Sequence, residues 1–278
     1  MISFVVKSSI MSSTILSFGG SIAEQYEELL GPFLFEPFAA DLAERIGDLP
    51  ASSVLELACG TGRVTRHLAA ALGPDARLVA TDLNAEMLSV ARKAVLHPRV
   101  SWAEADIAAL PFGDAEFDLV VSQFGMMFPG DKAAAFAETR RVLRPGGRLL
   151  FNTWGPGAEN PFWALLGDQM RAVFGDGAKE PIAQPFSLSD EQAVLQLLQR
   201  SGFVATSVRR LRHLASIETA ALAARGMIAG LPVINLLRQR APDALPGMLE
   251  RLEARYAEAF GDRPLVAPVS AWVFEARV

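Results

Sequence analysis

Cysteine is almost absent: the 278-residue chain holds only Cys59, so no internal disulfide can staple it. A lone thiol fits a reducing compartment, and its setting predicts a buried, inert group rather than a nucleophile. Histidine is scarce too, at three residues, and no cluster of acids and histidines has metal-site spacing, so no metal is expected. Positive charge is in deficit. With 26 Lys and Arg against 31 Asp and Glu the net charge is −5, which argues against a broad grip on nucleic acid. The local run "VRRLRHL" at 208–214 reads as a solvated face. No apolar run approaches the ~20 residues of a membrane span. The N-terminal "MISFVVKSSIMSSTILSF" lacks the cationic start and continuous apolar core of a signal peptide. A cytoplasmic protein is therefore expected, one that meets neither membrane nor nucleic acid. Residues 1–20 are expected to form a disordered extension, with Met11 as an alternative start.

What the chain does have is core. Hydrophobic residues make up 51% and charged residues 21%, a composition suited to packed globular structure. Residues 21–47 carry helix-spaced apolar positions interrupted at Pro32 and Pro37, with Tyr26, Phe33, Phe35 and Phe38 on one side. Strand and helix patterns then alternate. "SVLELACG", "RLVATDL", "RVSWAEAD", "FDLVVSQFG" and "RLLFNTW" read as strands, with "RVTRHLAAAL", "NAEMLSVARKAVL" and "DKAAAFAETRRVL" as helices between them. Asn84 caps the second of these helices. Pro145 and Gly146 suit a type II turn, the glycine taking positive φ. Such alternation implies an α/β fold whose mostly parallel, doubly wound sheet is covered on both faces.

After Trp154 the rhythm breaks into an apolar insertion over about 155–200. "LSDEQAVLQLLQRSGF" is a capped helix ending at Gly202, followed by a strand around 204–212, helices over 216–260 and a closing strand "VSAWVFEARV". One domain over 21–278 is expected, with the helices of 21–47, the insertion over about 155–200 and the helices over about 216–260 forming a lid on the acceptor side.

Open parallel sheets bind ligands beyond the carboxyl ends of their strands. Gly60, Asp82, Asp106 and Gln123 all fall at such ends in successive units. Gly60 and Gly62, in "LELACGTGRVTRHLAAAL" (55–72), let a ligand approach the backbone at a helix N-terminus. A dinucleotide fingerprint would place a third glycine where Thr65 stands, so the pair alone leaves the cofactor open. Asp82, twenty residues after Gly62, offers acceptors suited to ribose hydroxyls, or else caps its helix.

Taken in order, "LELACGTGR", "LVATDLNAEML", "AEADIAALPFGDAEFDLVVSQFGMMF" and "RVLRPGGRLLFNTW" resemble the class I S-adenosylmethionine-dependent methyltransferases, in the broad branch with quinone-biosynthesis C-methyltransferases. The resemblance covers roughly residues 20–155. It implies a Rossmann-like sheet of seven strands, the last antiparallel, binding S-adenosyl-L-methionine and releasing S-adenosyl-L-homocysteine. It also implies roles for matching residues. Glu56 orders the turn or approaches the methionine amino group; Ala58, Gly60 and Gly62 line the methionine; Arg63 approaches its carboxylate. Asp82 holds the ribose, Leu83 and Met87 flank the adenine, and Asp106 and the Ile107 amide meet its edge. Gln123 and Phe124 face the sulfonium. Ala58 departs from the family's commonest motif, which has glycine there. Tyr26 either closes over the cofactor or simply packs.

Methyl transfer from a sulfonium needs mainly an acceptor held in line, and a base only where the acceptor must lose a proton. Among His67, His97 and His213, the last is topologically best placed for that role, beside the simpler reading of a structural histidine. Phe35, Trp154, Phe162, Trp163, Met170, Phe174, Met227 and Leu231 are candidate walls for a small apolar or aromatic acceptor, or else core or a dimer face. The expected protein is a monomer or homodimer acting on a small molecule. Two readings compete with methyl transfer: a protein that binds the same cofactor without transfer, in an accessory or cyclase-like role, and an NAD-dependent oxidoreductase.

Overall fold

A computed structural model describes residues 21–46, 53–175 and 183–278; the expected extension over 1–20 lies outside them. One seven-stranded sheet organises the chain, in the order β3-β2-β1-β4-β5-β7-β6. Its strands are β1 Ser53–Glu56, β2 Arg77–Asp82, β3 Val100–Glu104, β4 Phe117–Gln123, β5 Leu143–Trp154, β6 Val204–Ile217 and β7 Leu265–Arg277. Strands β1 to β5 pair in parallel, and β7 runs antiparallel to both β5 and β6, as the resemblance implied. Every residue of β1 is buried, Ser53 and Glu56 as well as Val54 and Leu55, so its sequence shows no alternation of apolar and polar positions. The order reverses between β1 and β4. The crevice of an open α/β sheet opens at such a point.

Helices α1 Ser21–Gln25 and α2 Glu36–Glu44 flank a π-wound segment, Tyr26–Phe35. The expected interruption at Pro32 is absent, because the segment bonds in the wider register: the Glu36 amide donates to the Gly31 carbonyl, five residues back. A proline in such winding escapes the i−4 arrangement that makes it a helix breaker. Pro37 sits in the first turn of α2, where its missing N–H is no loss.

The other α-helices among the described residues are α3 Arg63–Ala71, α4 Ala85–Ala94, α5 Lys132–Val142, α6 Pro161–Phe174, α7 Glu191–Arg200, α8 Ala220–Ala229, α9 Val233–Arg240 and α10 Leu245–Phe260. Asn84 caps α4, its side chain accepting from the Glu86 and Met87 amides. Asp190 caps α7 in the same way. Gly146 adopts φ +78° and Gly202 φ +82°, as their turns require. Strand β6 runs past the expected 212 to Ile217, paired with β7 throughout its second half. It is the edge of the sheet and largely exposed, so no alternating apolar face marked its length.

The N-terminal segment and the later helices share one core. Phe33 meets Phe162 edge-on at 4.9 Å, and Phe162 stacks on Tyr256 at 4.0 Å. No single helix among the described residues is long and apolar enough to cross a membrane.

Candidate active site

The turn between β1 and α3 is wound through three left-handed residues: Ala58 at φ +51°, Gly60 at +54° and Gly62 at +83°. At Gly60 an added Cβ would meet nothing within 4 Å, so this face of the turn is open to a ligand. Ala58 keeps the backbone conformation that glycine adopts more cheaply, at a steric cost of its own. Its methyl is accommodated by Gly125, where a Cβ would come within 2.5 Å of it.

Asp82, at the end of β2, anchors the turn. One of its oxygens accepts from the Gly60 amide and the other from the Asn84 amide, each at 2.8 Å, which leaves a free acceptor direction on each. Burial pushes its carboxyl above the ordinary range, while the amides of Asn84, Gly60 and Leu83 oppose that rise. Asp106 accepts from the Ala108 amide at 2.9 Å. Gln123, ending β4, donates through Nε2 to the Phe35 carbonyl at 2.7 Å. The left-handed Phe124 (φ +51°) is held by the Asn152 side chain, which accepts from its amide at 2.9 Å.

These groups meet at one cavity of about 730 Å³. Its wall holds Tyr26, Ala58, Gly60, Asp82, Leu83, Met87, Asp106, Ile107, Gln123 and Phe124, together with Phe35, Trp154, Trp163, Met170 and Leu231. Much of this wall is aromatic. Phe124 stacks on Trp154 at 4.1 Å, Tyr26 on Phe35 at 4.8 Å, and Trp154 meets Trp163 at 5.7 Å. Sequence reading missed the loop after β4, where Met127, Phe128, Pro129 and Gly130 join the wall, and also Gln184, Pro232 and Val233. The signal was present in "GMMFPGD", a glycine- and proline-bounded run directly after a strand end at the switch point.

Other expected site residues lie elsewhere. Glu56 is buried behind the turn, 1% exposed, with Oε2 lacking any partner. Burial raises its carboxyl to about 8, with Thr65 opposing and the Asp82 charge adding to the rise. Gly62 faces α4, where a Cβ would come within 3.0 Å of Val95. Arg63 is consumed by Glu27 and Glu36. Phe162 and Met227 are wholly buried in the core, and Phe174 packs against that core without reaching the cavity.

His213 sits on β6 opposite Val269, its ring edge-on to Phe38 at 4.9 Å and its Nε2 buried without a partner. Like His67 and His97, it is not part of the cavity wall. Burial, with Glu56 and Asp82 nearby, pushes the Cys59 thiol well up, in keeping with an inert thiol. No group of three His, Cys, Asp or Glu converges as a metal site among the described residues.

Comparison with known proteins places this architecture. Residues 54–147 match the methyltransferase domain family. The ubiquinone/menaquinone biosynthesis C-methyltransferase UbiE of Hahella chejuensis is 36% identical over 137 residues, 47% of this chain and 55% of that protein, so the match spans about half of the relative's length. Among solved structures, a putative methyltransferase from Bacillus halodurans superposes with a TM-score of 0.57 at 18% identity, covering 86% of this chain and 97% of that one. A phosphoethanolamine N-methyltransferase 2 from Haemonchus contortus, solved with S-adenosyl-L-methionine, gives 0.58 at 20% identity, over 92% of this chain and 56% of that one. At such identities these structures speak for the fold alone. Residues 54–147 thus carry a methyltransferase domain, and the seven-stranded sheet around it is that of the methyltransferase fold.

Proposed function

We propose that this protein transfers a methyl group from S-adenosyl-L-methionine to a small, apolar or aromatic acceptor. One observation carries the reading. Gly60, Asp82, Asp106 and Gln123, at the carboxyl ends of four strands, open onto the same cavity as the aromatic wall of Phe35, Trp154 and Trp163.

The residues fit the cofactor's chemistry. Asp82 keeps an acceptor direction on each oxygen for the ribose hydroxyls, and the open face of Gly60 admits the methionine part. Glu56 lies outside the cavity wall, yet its Oε2 is buried and unpartnered, the acceptor that a cationic group passing the turn would satisfy. Asp106 and the backbone of Ile107, both in the cavity wall, offer an acceptor and an amide to an adenine edge.

When bound, S-adenosyl-L-methionine supplies an already activated methyl group. The chain's own task is then to hold, orient and keep dry. Alignment of this kind supplies roughly 7–11 kcal/mol in favourable intramolecular systems. Phe124 and Trp154, stacked face to face beside the end of β4, give the wall an apolar aromatic pair against which a planar acceptor can lie while water is excluded. None of the three histidines lines the cavity, so positioning carries the reaction in this reading and His213 is assigned no proton transfer.

Calorimetry is expected to show binding of S-adenosyl-L-methionine and S-adenosyl-L-homocysteine but not of NAD. Selective NAD binding would overturn the cofactor assignment. Binding without any methylated product across a panel of phenols, quinones, amines and carboxylates would favour a role without transfer.

We further propose that residues 155–240 choose the acceptor. Trp163, half-buried at the wall, and Met227, fully buried in α8, test this as a pair. Trp163→Ala should change turnover or acceptor preference tenfold or more while cofactor affinity stays within about twofold. Met227→Ala leaves a core cavity and should instead cost stability, roughly 2–5 kcal/mol, with preference unchanged. Unaltered preference and turnover in Trp163→Ala would remove this wall from the acceptor site.

A further inference from the structure

The structure assigns Arg63 a positioning role: it latches the π-wound segment Tyr26–Phe35 onto the cofactor turn, so that the cofactor end of the cavity is walled only while the latch is made. This rests on the reading of the cavity given above.

Arg63 is the first residue of α3, directly after Gly62, and is 8% exposed. Its Nη1 donates to Glu36 at 2.7 Å; its Nη2 donates to the Glu27 carbonyl at 2.8 Å and to the Glu27 carboxylate at 2.9 Å. These partners bracket the segment. Glu27 follows Tyr26 and Glu36 follows Phe35, and Tyr26 and Phe35 are the two residues by which the segment enters the cavity wall.

Neighbours of Arg63 reinforce the grip from the same side. Thr61 donates to Glu27 at 2.6 Å, Arg66 donates to Glu27 at 2.9 Å, and the His67 ring meets Glu36 at 2.7 Å. Every group on the turn side therefore belongs to the stretch 61–67 that builds the cofactor loop and opens α3.

The backbone of the segment lies directly across the guanidinium. A Cβ on Gly31 would fall 2.1–2.3 Å from Arg63 atoms, so only glycine permits the latch. On the far side Gln123 holds the Phe35 carbonyl, tying the same segment to the end of β4. The start of α3 and the end of β4 thus hold one segment between them, and a shift of the turn is transmitted to Tyr26 and Phe35.

Arg63 is the buried hub of this cluster while Glu27 and Glu36 are partly exposed, so displacing its guanidinium breaks the contacts to both ends of the segment at once. A fork is needed as well as a charge, because a single ammonium cannot satisfy Glu27 and Glu36 in the geometry the guanidinium does.

The test uses the full chain and three variants: Arg63→Lys, Glu27→Gln, and Gly31→Ala, the last displacing the guanidinium by one methyl group while leaving every charge in place. Hydrogen exchange of the peptide covering 26–35 and calorimetric affinity for S-adenosyl-L-homocysteine are the readouts. In the wild type the ligand should slow exchange over 26–35. In the variants exchange there should rise at least tenfold without ligand, with β1 and β2 unchanged, and affinity should fall at least tenfold.

Absence of ligand binding by the wild type would overturn the reading of the cavity. Binding without slowed exchange over 26–35 in the wild type, a measurement that requires no variant, would overturn the latch alone. So would variants whose exchange rises while affinity is unchanged.

Discussion

Asp82→Ala is expected to weaken S-adenosyl-L-methionine binding by roughly a hundredfold, about 3 kcal/mol. The substitution has two consequences. It removes both acceptors from the wall at the end of β2, leaving the ribose hydroxyls without partners in a half-buried site. It also strips the Gly60 amide of the carboxylate that now fixes it at 2.8 Å, which frees the left-handed turn whose open face admits the ligand. Hydrogen bonds to a charged group contribute roughly 1.5–3 kcal/mol each, so losing the pair outweighs any gain from relieving a buried carboxylate. Asp82→Asn should fall between the two, since one of its positions would turn an NH₂ toward a backbone N–H. Calorimetry on folded variants decides the matter. Unchanged affinity in Asp82→Ala would reduce Asp82 to a loop cap.

The site was legible where local chemistry and strand position coincide. Glycines in a tight turn, an acid at a strand end and a capped helix each occupy a few consecutive residues. Their order along β1 to β4 then placed Gly60, Asp82, Asp106 and Gln123 at one edge of the sheet without knowledge of any contact. The sheet itself was readable for the same reason: buried parallel strands are short apolar runs separated by amphipathic helices.

What escaped depends on contacts that no spacing encodes. Arg63 looked like a ligand residue because it follows the glycines, yet Glu27 and Glu36 lie 36 and 27 residues away and reach it only once the segment has folded over the turn. Pro32 reads as a breaker in any α-helical scheme, and only the i−5 bonds of π winding make the segment continuous. Phe162 and Trp163 are neighbours on α6, about 100° apart around its axis, and periodicity does not say which of the two directions meets the cavity. The first turns into the Phe33–Tyr256 stack and the second toward Trp154. His213 belongs to an edge strand whose length was underestimated, and its side chain packs on Phe38 rather than on the cavity.

Glu56 should make stability and cofactor binding respond to pH in opposite ways. Its carboxyl is fully buried, one oxygen unpartnered, and burial raises it to about 8. The folded chain without cofactor therefore holds a proton that the unfolded chain releases near pH 4.5. Between those two values the folded state binds more protons, so this group's contribution to stability falls as pH rises, by up to about 1.4 kcal/mol per unit, and levels off above pH 8. Glu56→Gln carries no such proton. Whatever fixed offset its amide introduces, its melting temperature relative to the wild type should climb steadily from pH 5 to pH 8 in the absence of cofactor. Binding should move the other way. A cationic amino group beside Oε2 favours the ionised carboxylate, so wild-type affinity for S-adenosyl-L-homocysteine should strengthen over the same range, whereas Glu56→Gln should bind at least tenfold more weakly at pH 8 and lose most of that dependence. Thermal unfolding and calorimetry across pH 5–9 supply both curves. Parallel melting curves for the two proteins would show that Glu56 does not titrate in this window, and a flat wild-type affinity would place the ligand's amino group away from it.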